Sequence, residues 1–241
     1  MILRRLANAI RGQDWFTVVF EVLIVVVGIF IGLQVNDWNT RRQERALLDD
    51  YLDRLKIETQ NNIEGYLYYV NGMEELGDQL TAYFNHLLDS DQPSADLEAL
   101  SANLCRNGVV GRPAYDNSVL NEMISTGYLR LIKDKELVHS LQTYIGEQKR
   151  VNQAIVFHAP ALIDAYDKFE PYRALRPLTE ESTLGNCDFD FSAFERNPKA
   201  ASWVADAQRL HVWHMLNARS VLEELQETGN RFAGDTVELK E

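Results

Sequence analysis

The sequence of 241 residues lacks the short motifs that identify the common enzyme classes. It contains no GxSxG, HExxH or CxxC, no phosphate-binding loop and no dinucleotide fingerprint. Only 6 prolines and 13 glycines are present, which excludes fibrous and low-complexity classes. No basic stripe accompanies the net charge of -12, and binding to phosphates requires clustered Lys and Arg. The sequence therefore predicts no catalytic residue, no cofactor and no nucleic-acid partner.

Charge is also scarce near the amino terminus, where residues 15–33 are almost entirely apolar and carry one charge, Glu21. As a helix this run would span roughly 28 Å, close to the thickness of a bilayer core. Three upstream arginines would suit a cleaved signal peptide, but no small-x-small cleavage site follows the run. We therefore predict a retained anchor helix over 15–38, after a short basic cytoplasmic segment over 1–14.

The orientation of this anchor depends on weaker signals, because three arginines precede the span and three follow it within a few residues. Residues 41–241 hold 21 Lys and Arg against 33 Asp and Glu, which suits an exported acidic domain. The two cysteines, Cys105 and Cys187, could close one disulfide in an oxidising compartment. The alternative is two unpaired thiols in a cytosolic domain. These signals favour a cytoplasmic amino terminus and an exported domain over 39–241.

One stripe of the anchor predicts contact with another helix. Glu21, Val25, Gly28 and Gly32 recur at helical spacing, and the two glycines form a GxxxG pair that allows close backbone approach. A carboxylate in hydrocarbon is costly, so this stripe should face a partner rather than lipid. Two alternatives remain: GxxxG is frequent by chance, and water can reach a residue as near the membrane surface as Glu21. A proton or ion role for Glu21 is a further interpretation.

Polar residues follow where the span leaves the bilayer. Gln34, Asn36, Trp38 and Asn39 occupy this position, and Trp is typical of the headgroup level. One interpretation is a ring of amides between subunits that fixes their register, as a buried Asn does in coiled coils. The other is an ordinary interfacial flank.

The rest of the chain has helical periodicity, and the sequence predicts an all-α fold: one transmembrane helix followed by an antiparallel bundle of four or five helices. The first long helix should run over about 40–88, with a continuous connection to the anchor as an option, and Ser94 should cap a short second helix. A third helix should end at Gly127, and Asp134 should begin a fourth that Pro160 kinks and Pro171 ends.

The end of the sequence predicts a last helix over about 198–231. Its inward face should carry a set of large apolar residues: Trp203, Leu210, Trp213, Leu216, Val221 and Leu225. No convincing strand is expected, and residues 171–198 form the longest irregular stretch.

Few residues remain that could carry chemistry. His211 and His214 are three positions apart and could share a metal, but Leu210 and Trp213 beside them favour a packed face. We therefore predict no metal site. Ser118 and Ser125 lie in an ordinary helix, and the tyrosines at 66, 68 and 69 are more typical of a bundle core than of a ligand site.

The stretch from Glu21 to Arg45 resembles the amino-terminal signature of a bacterial family of uncharacterised single-span membrane proteins. Its residues match a pattern of Glu, a Val/Ile-rich stretch and G-I-x-I-[AG]-L-Q-[IV]-N-[ND]-W-N, followed by basic residues. A second stretch, Asn121 to Tyr144, resembles a recurrent block of the same family. The resemblance implies a bacterial protein with an anchor and a helical domain. Together with the acidic domain and the cysteine pair, this predicts an anchor in the inner membrane and a domain in the periplasm. The resemblance implies no catalytic residues.

Two functions of different kinds follow. The first is a membrane-anchored scaffold or interaction protein, either a homo-oligomer or a subunit that contacts another inner-membrane protein as well as the lipid bilayer. The second is a periplasmic ligand-binding or sensor bundle. Since only about 14 residues precede the span, a sensor would have to signal through a partner membrane protein. An enzyme is the least supported of the three classes.

Overall fold

The structure is a computed structural model that describes residues 15–91, 96–105, 112–175 and 187–234. The predicted basic segment 1–14 and the predicted cap Ser94 lie outside these described residues. The chain divides into two compact units, Met1–Leu52 and Asp53–Glu241.

Helices form almost all of the described chain, so the predicted all-α fold is confirmed. Helix α1 runs without a break over Trp15–Leu88, because no proline interrupts its sequence. It includes both the predicted anchor and the predicted first bundle helix, and the option of a continuous connection is therefore the observed one. The other helices are α2 (Leu97–Cys105), α3 (Ser118–Thr126), α4 (Lys135–Asp167), α5 (Phe191–Glu195) and α6 (Ala200–Gly234).

Two short strands correct the expectation that the chain has none. Strand β1 (Arg173–Leu175) pairs antiparallel with β2 (Cys187–Phe189), and Leu175 lies opposite Cys187. The strands are three residues long, too short for a reliable alternation of apolar and polar side chains. Single 3₁₀ turns over Tyr128–Leu131 and Glu170–Tyr172 complete the elements.

Local capping chemistry sets several helix ends. Gly127 ends α3 with φ of 80°, a conformation that favours glycine, and its N–H donates to the carbonyl of Ile124. Asp134 begins α4, where its carboxylate accepts from the backbone N–H groups of Glu136 and Leu137. At α2 the carboxylate of Asp96 accepts from the N–H of Ala99.

Within Asp53–Glu241, contacts show that α6 runs antiparallel to both α1 and α4. Along α4, Ser140 contacts Thr228, Glu147 accepts from Ser220, and the His158 ring meets the Trp213 ring. As the residue number increases along α4, the number of the contacting residue on α6 decreases, so the two helices run in opposite directions. Met73 of α1 likewise meets His211, and Thr81 meets Gln208. This agrees with the expected antiparallel bundle, and Pro160 lies within α4, which continues to Asp167.

An aromatic cluster fills one end of this bundle. Phe169, Phe189 and Phe194 are buried together, with ring centroids 5.2–6.2 Å apart, and Tyr83 of α1 packs against Phe194. Aromatic pairs in such geometries add about 0.5–1.5 kcal/mol beyond their area burial. The cluster ties α1, α5 and the strand pair together.

Candidate functional sites

The first candidate site is the uncovered apolar surface of α1 in the unit Met1–Leu52. The large apolar side chains from Val19 to Trp38 are all 44–63% exposed. Monomeric soluble proteins rarely expose a continuous apolar surface of this extent. Among the described residues, α1 is the one helix long and apolar enough, by length and composition, to cross a membrane.

The predicted packing stripe, Glu21, Val25, Gly28 and Gly32, lies on this surface, and all four residues are exposed. Apart from its chain neighbours and its own helix backbone, a Cβ atom built at Gly28 or at Gly32 meets no atom of the described residues within 4 Å. No tertiary contact among these residues therefore requires a glycine at either position. Because each glycine also costs helix stability of roughly 0.5–1 kcal/mol relative to Ala, the pair needs another explanation. That the stripe packs against a second helix stays a prediction.

The predicted interfacial residues follow directly on α1. Gln34, Asn36, Trp38 and Asn39 are all exposed, and Arg42 lies over the Trp38 ring at 5.8 Å from its centroid. A cation over an indole face is favourable, and both side chains are typical of the zone between lipid and water. That these amides form a ring between subunits stays a prediction.

Cys105 and Cys187 form a disulfide in the second unit. It joins the last residue of α2 to the first residue of β2. Beside it, the backbone N–H of Phe189 donates to the hydroxyl of Ser101 at 3.2 Å. Two segments far apart in the sequence are thereby held against the aromatic cluster.

The second candidate site is a groove of about 860 Å³ between the start of α3 and one face of α4. Its α4 wall carries Ile145, Gln148, Lys149, Asn152, Gln153 and Val156, a stripe at helical spacing. The opposite wall consists of Tyr115, Asp116, Asn117, Ser118 and Asn121. Five of the eleven lining side chains are amides. One carboxylate and one ammonium group balance each other, so the lining has no net charge.

A buried network of hydrogen bonds holds the floor of the groove. The Asn117 amide donates to Gln148 at 2.6 Å, the Gln148 amide donates to the Tyr144 hydroxyl at 2.8 Å, and that hydroxyl donates back to Asn117 at 2.8 Å. Asn62 of α1 anchors the same segment, because its amide donates to the Asp116 carbonyl at 2.7 Å and accepts from the Asp116 N–H at 2.8 Å. Each partner is satisfied, as a buried polar network must be to avoid a large penalty.

Glu58 holds the start of α3 from a distance of 61 positions in the sequence. Its carboxylate accepts from the backbone N–H groups of Val119 at 2.7 Å and Leu120 at 3.1 Å, which a helix start otherwise leaves without partners. Burial raises the pKa of Glu58, while these two hydrogen bonds act in the opposite direction. Glu58 and Asp116 both contact the Ser118 hydroxyl and resemble an acid–base pair. However, Glu58 does not line the groove. We therefore interpret it as a cap for the start of α3, on the basis of its two hydrogen bonds to backbone N–H groups.

The two histidines of α6 lie on its packed face. His211 and His214 are each 1% exposed, whereas Leu210 is partly buried against the hydrophobic core and Trp213 is half-buried. Leu216, predicted inward, is 52% exposed, which corrects that assignment. Burial lowers the pKa of His214 to about 4 and also lowers the pKa of His211, so both rings are neutral near pH 7.

Other candidates from the sequence find ordinary roles in the structure. Ser118 and Ser125 lie at the start and near the end of α3. Tyr66 is buried, whereas Tyr68 is 86% exposed, so the tyrosines at 66, 68 and 69 do not form one cluster. Among the residues that the structure describes, no group of three or more His, Cys, Asp or Glu side chains is placed to hold a metal ion.

Comparisons with protein-family models, with curated proteins and with solved structures each returned no match. The candidate function therefore depends on the two surfaces themselves. The sequence pointed to the apolar face of α1 but not to the groove. The signal for the groove was the run of Asn and Gln at helical spacing on α4, opposite a loop rich in Asn and Asp.

Proposed function

We propose that this chain is a membrane-anchored interaction protein of the bacterial envelope, whose anchor helix associates with a second membrane helix. The observation that carries the proposal is the uncovered apolar surface over Val19–Trp38. A bilayer would cover this surface and so anchor the helical domain that follows it in the sequence.

The stripe of Glu21, Gly28 and Gly32 supports association rather than simple anchoring. No part of the chain that the structure describes fills the space beside the two glycines, so a second backbone could approach closely there. On the same stripe, Glu21 would leave hydrocarbon for a protein contact, which avoids a cost of at least about 2.5–3.5 kcal/mol. The partner helix could belong to a second copy of this chain or to another inner-membrane protein.

The disulfide supports export of the domain. Structural disulfides persist in oxidising compartments and are rare in the bacterial cytosol. The disulfide thus supports a proposed orientation in which the amino terminus lies in the cytoplasm and the helical domain in the periplasm. Blocking free thiols in intact cells, followed by gels with and without reductant, tests this placement. A shift on reduction supports it, and two freely alkylated cysteines would contradict it.

The decisive experiment is native mass spectrometry of the full chain, gently extracted from its own membranes. An integral multiple of 27.6 kDa indicates a homo-oligomer, and a mass that includes a second protein indicates an accessory subunit. The variant Gly28→Leu/Gly32→Leu should release the single chain, because the added side chains fill the space that the partner backbone needs.

A matched control adds bulk to the other side of the same helix. Leu23→Phe/Val27→Phe alters two exposed apolar positions away from the stripe and should leave the complex mass unchanged. A wild-type chain that is always monomeric, or a complex that survives the glycine substitutions, would show that the stripe is not an interface.

A further inference from the structure

We infer that the groove between α3 and α4 is a binding site for an uncharged glycan chain. It lies in the unit Asp53–Glu241 and shares no residue with the anchor stripe. The inference is thus independent of whether the anchor self-associates.

The shape of the groove suits an extended ligand. The lining residues of α4 run from Ile145 to Val156, which corresponds to a length of roughly 16 Å along the helix. With a volume of about 860 Å³, the groove is within the range of small-molecule sites and is long enough for several linked sugar rings.

The chemistry of the lining favours a ligand that is polar but has no charge. The amides of Asn121 and Gln153 each offer two N–H donors and an acceptor, and the Asn152 amide offers one further donor and its acceptor, which matches the hydroxyl groups of a sugar. The chain as a whole has a net charge of -12, which disfavours anionic ligands. The one carboxylate of the groove, Asp116, is already bonded to the backbone N–H and the hydroxyl of Ser118.

An aromatic ring and apolar side chains complete the match. The phenol of Tyr115 is 38% exposed, and its ring is stacked against Tyr66 with centroids 6.3 Å apart. Its hydroxyl accepts from Asn152 at 3.0 Å, so the ring is held at both ends. A fixed aromatic face provides a surface for the C–H face of a sugar ring, and Ile145 and Val156 offer further apolar contact.

Preorganisation strengthens the case. The groove floor at Asn117 and Gln148 is locked by the network that includes Asn62 and Tyr144. By contrast, the side chains of Asn121, Lys149 and Gln153 make no hydrogen bond or ion pair with another described residue, and all three residues are exposed. A rigid groove floor with free polar side chains at its rim is the arrangement expected of a recognition surface. Because the floor is already ordered, little conformational entropy is lost on binding.

Isothermal titration calorimetry of the full chain in lipid nanodiscs tests the inference, with empty nanodiscs as the blank. The probes are the tetramer of N-acetylglucosamine and the β-linked tetramer of glucose. We expect saturable binding of at least one of them. Gln153→Ala should weaken that binding about tenfold, the effect of losing one or two good hydrogen bonds. Tyr115→Ala should weaken it by a similar factor.

The control is Gln226→Ala, which removes the same exposed side chain from α6, away from the groove. It should bind like the wild type. Since Gln153 is exposed, its variant should keep the wild-type melting temperature, which separates lost binding from lost folding. Absence of binding to both glycans, equal binding by all variants, or tighter binding of a neutral peptide of Gly, Ser and Asn would overturn the inference.

Discussion

Gly65 in α1 is the position where the structure predicts the sharpest effect of a single methyl group. A Cβ atom there would overlap the carbonyl oxygen of Ala114 and lie 3.2 Å from its carbonyl carbon. The obstacle is backbone, so no side chain can rotate away. The segment that carries it is also fixed, because Asn62 makes two hydrogen bonds to Asp116, at 2.7 and 2.8 Å.

The magnitude for Gly65→Ala follows from opposing effects. Overpacking costs about 1–3 kcal/mol. Moving the segment also weakens hydrogen bonds that are worth about 1 kcal/mol each. The better helix propensity of Ala returns up to about 1 kcal/mol. The net expectation is a loss of about 1–3 kcal/mol in the free energy of unfolding, and a melting temperature lower by roughly 2–10 °C.

Gly72 provides a matched control in the same helix. A Cβ at Gly72 meets no atom of another described part of the chain within 4 Å. The substitution Gly72→Ala should therefore show only the higher helix propensity of Ala and raise the melting temperature by about 2–4 °C. The assay is thermal unfolding of both variants, followed by far-ultraviolet circular dichroism. If both substitutions raised the melting temperature equally, the close approach of α1 to the segment before α3 would be refuted.

Two further predictions concern the disulfide and the buried histidine. Replacing Cys105 and Cys187 together by Ser should lower the free energy of unfolding by about 4.5 kcal/mol, because the disulfide closes a loop across 82 positions. Denaturant unfolding with and without reductant measures this loss. An unchanged unfolding midpoint would contradict the prediction. For His214, the folded-state pKa of about 4 lies below the ordinary value of 6.5, so the unfolded chain takes up the proton first as the pH falls. Stability should therefore be complete above about pH 6.5 and decrease towards pH 4, by about 2 kcal/mol between pH 7 and pH 5. The variant His214→Met should lose that part of the pH dependence, and an identical slope in both proteins would contradict the assignment.

The elements that the sequence predicted correctly have causes close to them in the chain. Gly127 ends α3, and Asp134 caps α4, through contacts within a few residues. The apolar part of α1, a candidate membrane span by length and composition, depends only on a run of apolar side chains. Such local signals can be evaluated without knowing how the chain folds back on itself.

The inward face of α6 could be predicted only in part from size and hydrophobicity: Val221 and Leu225 are buried as expected, but other buried positions were missed. Its buried positions include Ala207, His211, His214 and Ala218, whereas Trp213 is only half-buried. Close packing between antiparallel helices selects small or compact side chains at the contact, and larger rings then cover the flanks. The signal available in the sequence was that these positions follow one another at steps of three and four residues. Trp213 and Leu216 obscured it, because their size and hydrophobicity suggested that they face inward.

The groove and its supporting network escaped prediction for a different reason. Glu58 caps a helix that begins 60 positions later, and Asn62 binds a segment 54 positions away, so neither role has a local signature. Both residues occupy inward positions of α1, where apolar side chains would satisfy the helical period. A sequence departs from its own pattern at such positions either through a tolerated defect or for a specific structural purpose.

The arrangement of the network favours a specific purpose. A defect would leave buried polar atoms without partners, yet Glu58, Asn62 and Gln148 all find theirs, and each of the three makes a hydrogen bond to the segment before α3 or to its first turn. Apolar residues could have packed α1 against α4 without the danger of burying a polar group that lacks a hydrogen-bond partner. A partly satisfied polar network is less stable than an apolar core. What apolar residues could not do is fix the backbone of residues 115–118 in one position. That backbone forms one wall of the groove, so the polar core of the bundle is best explained by the surface that it holds in place.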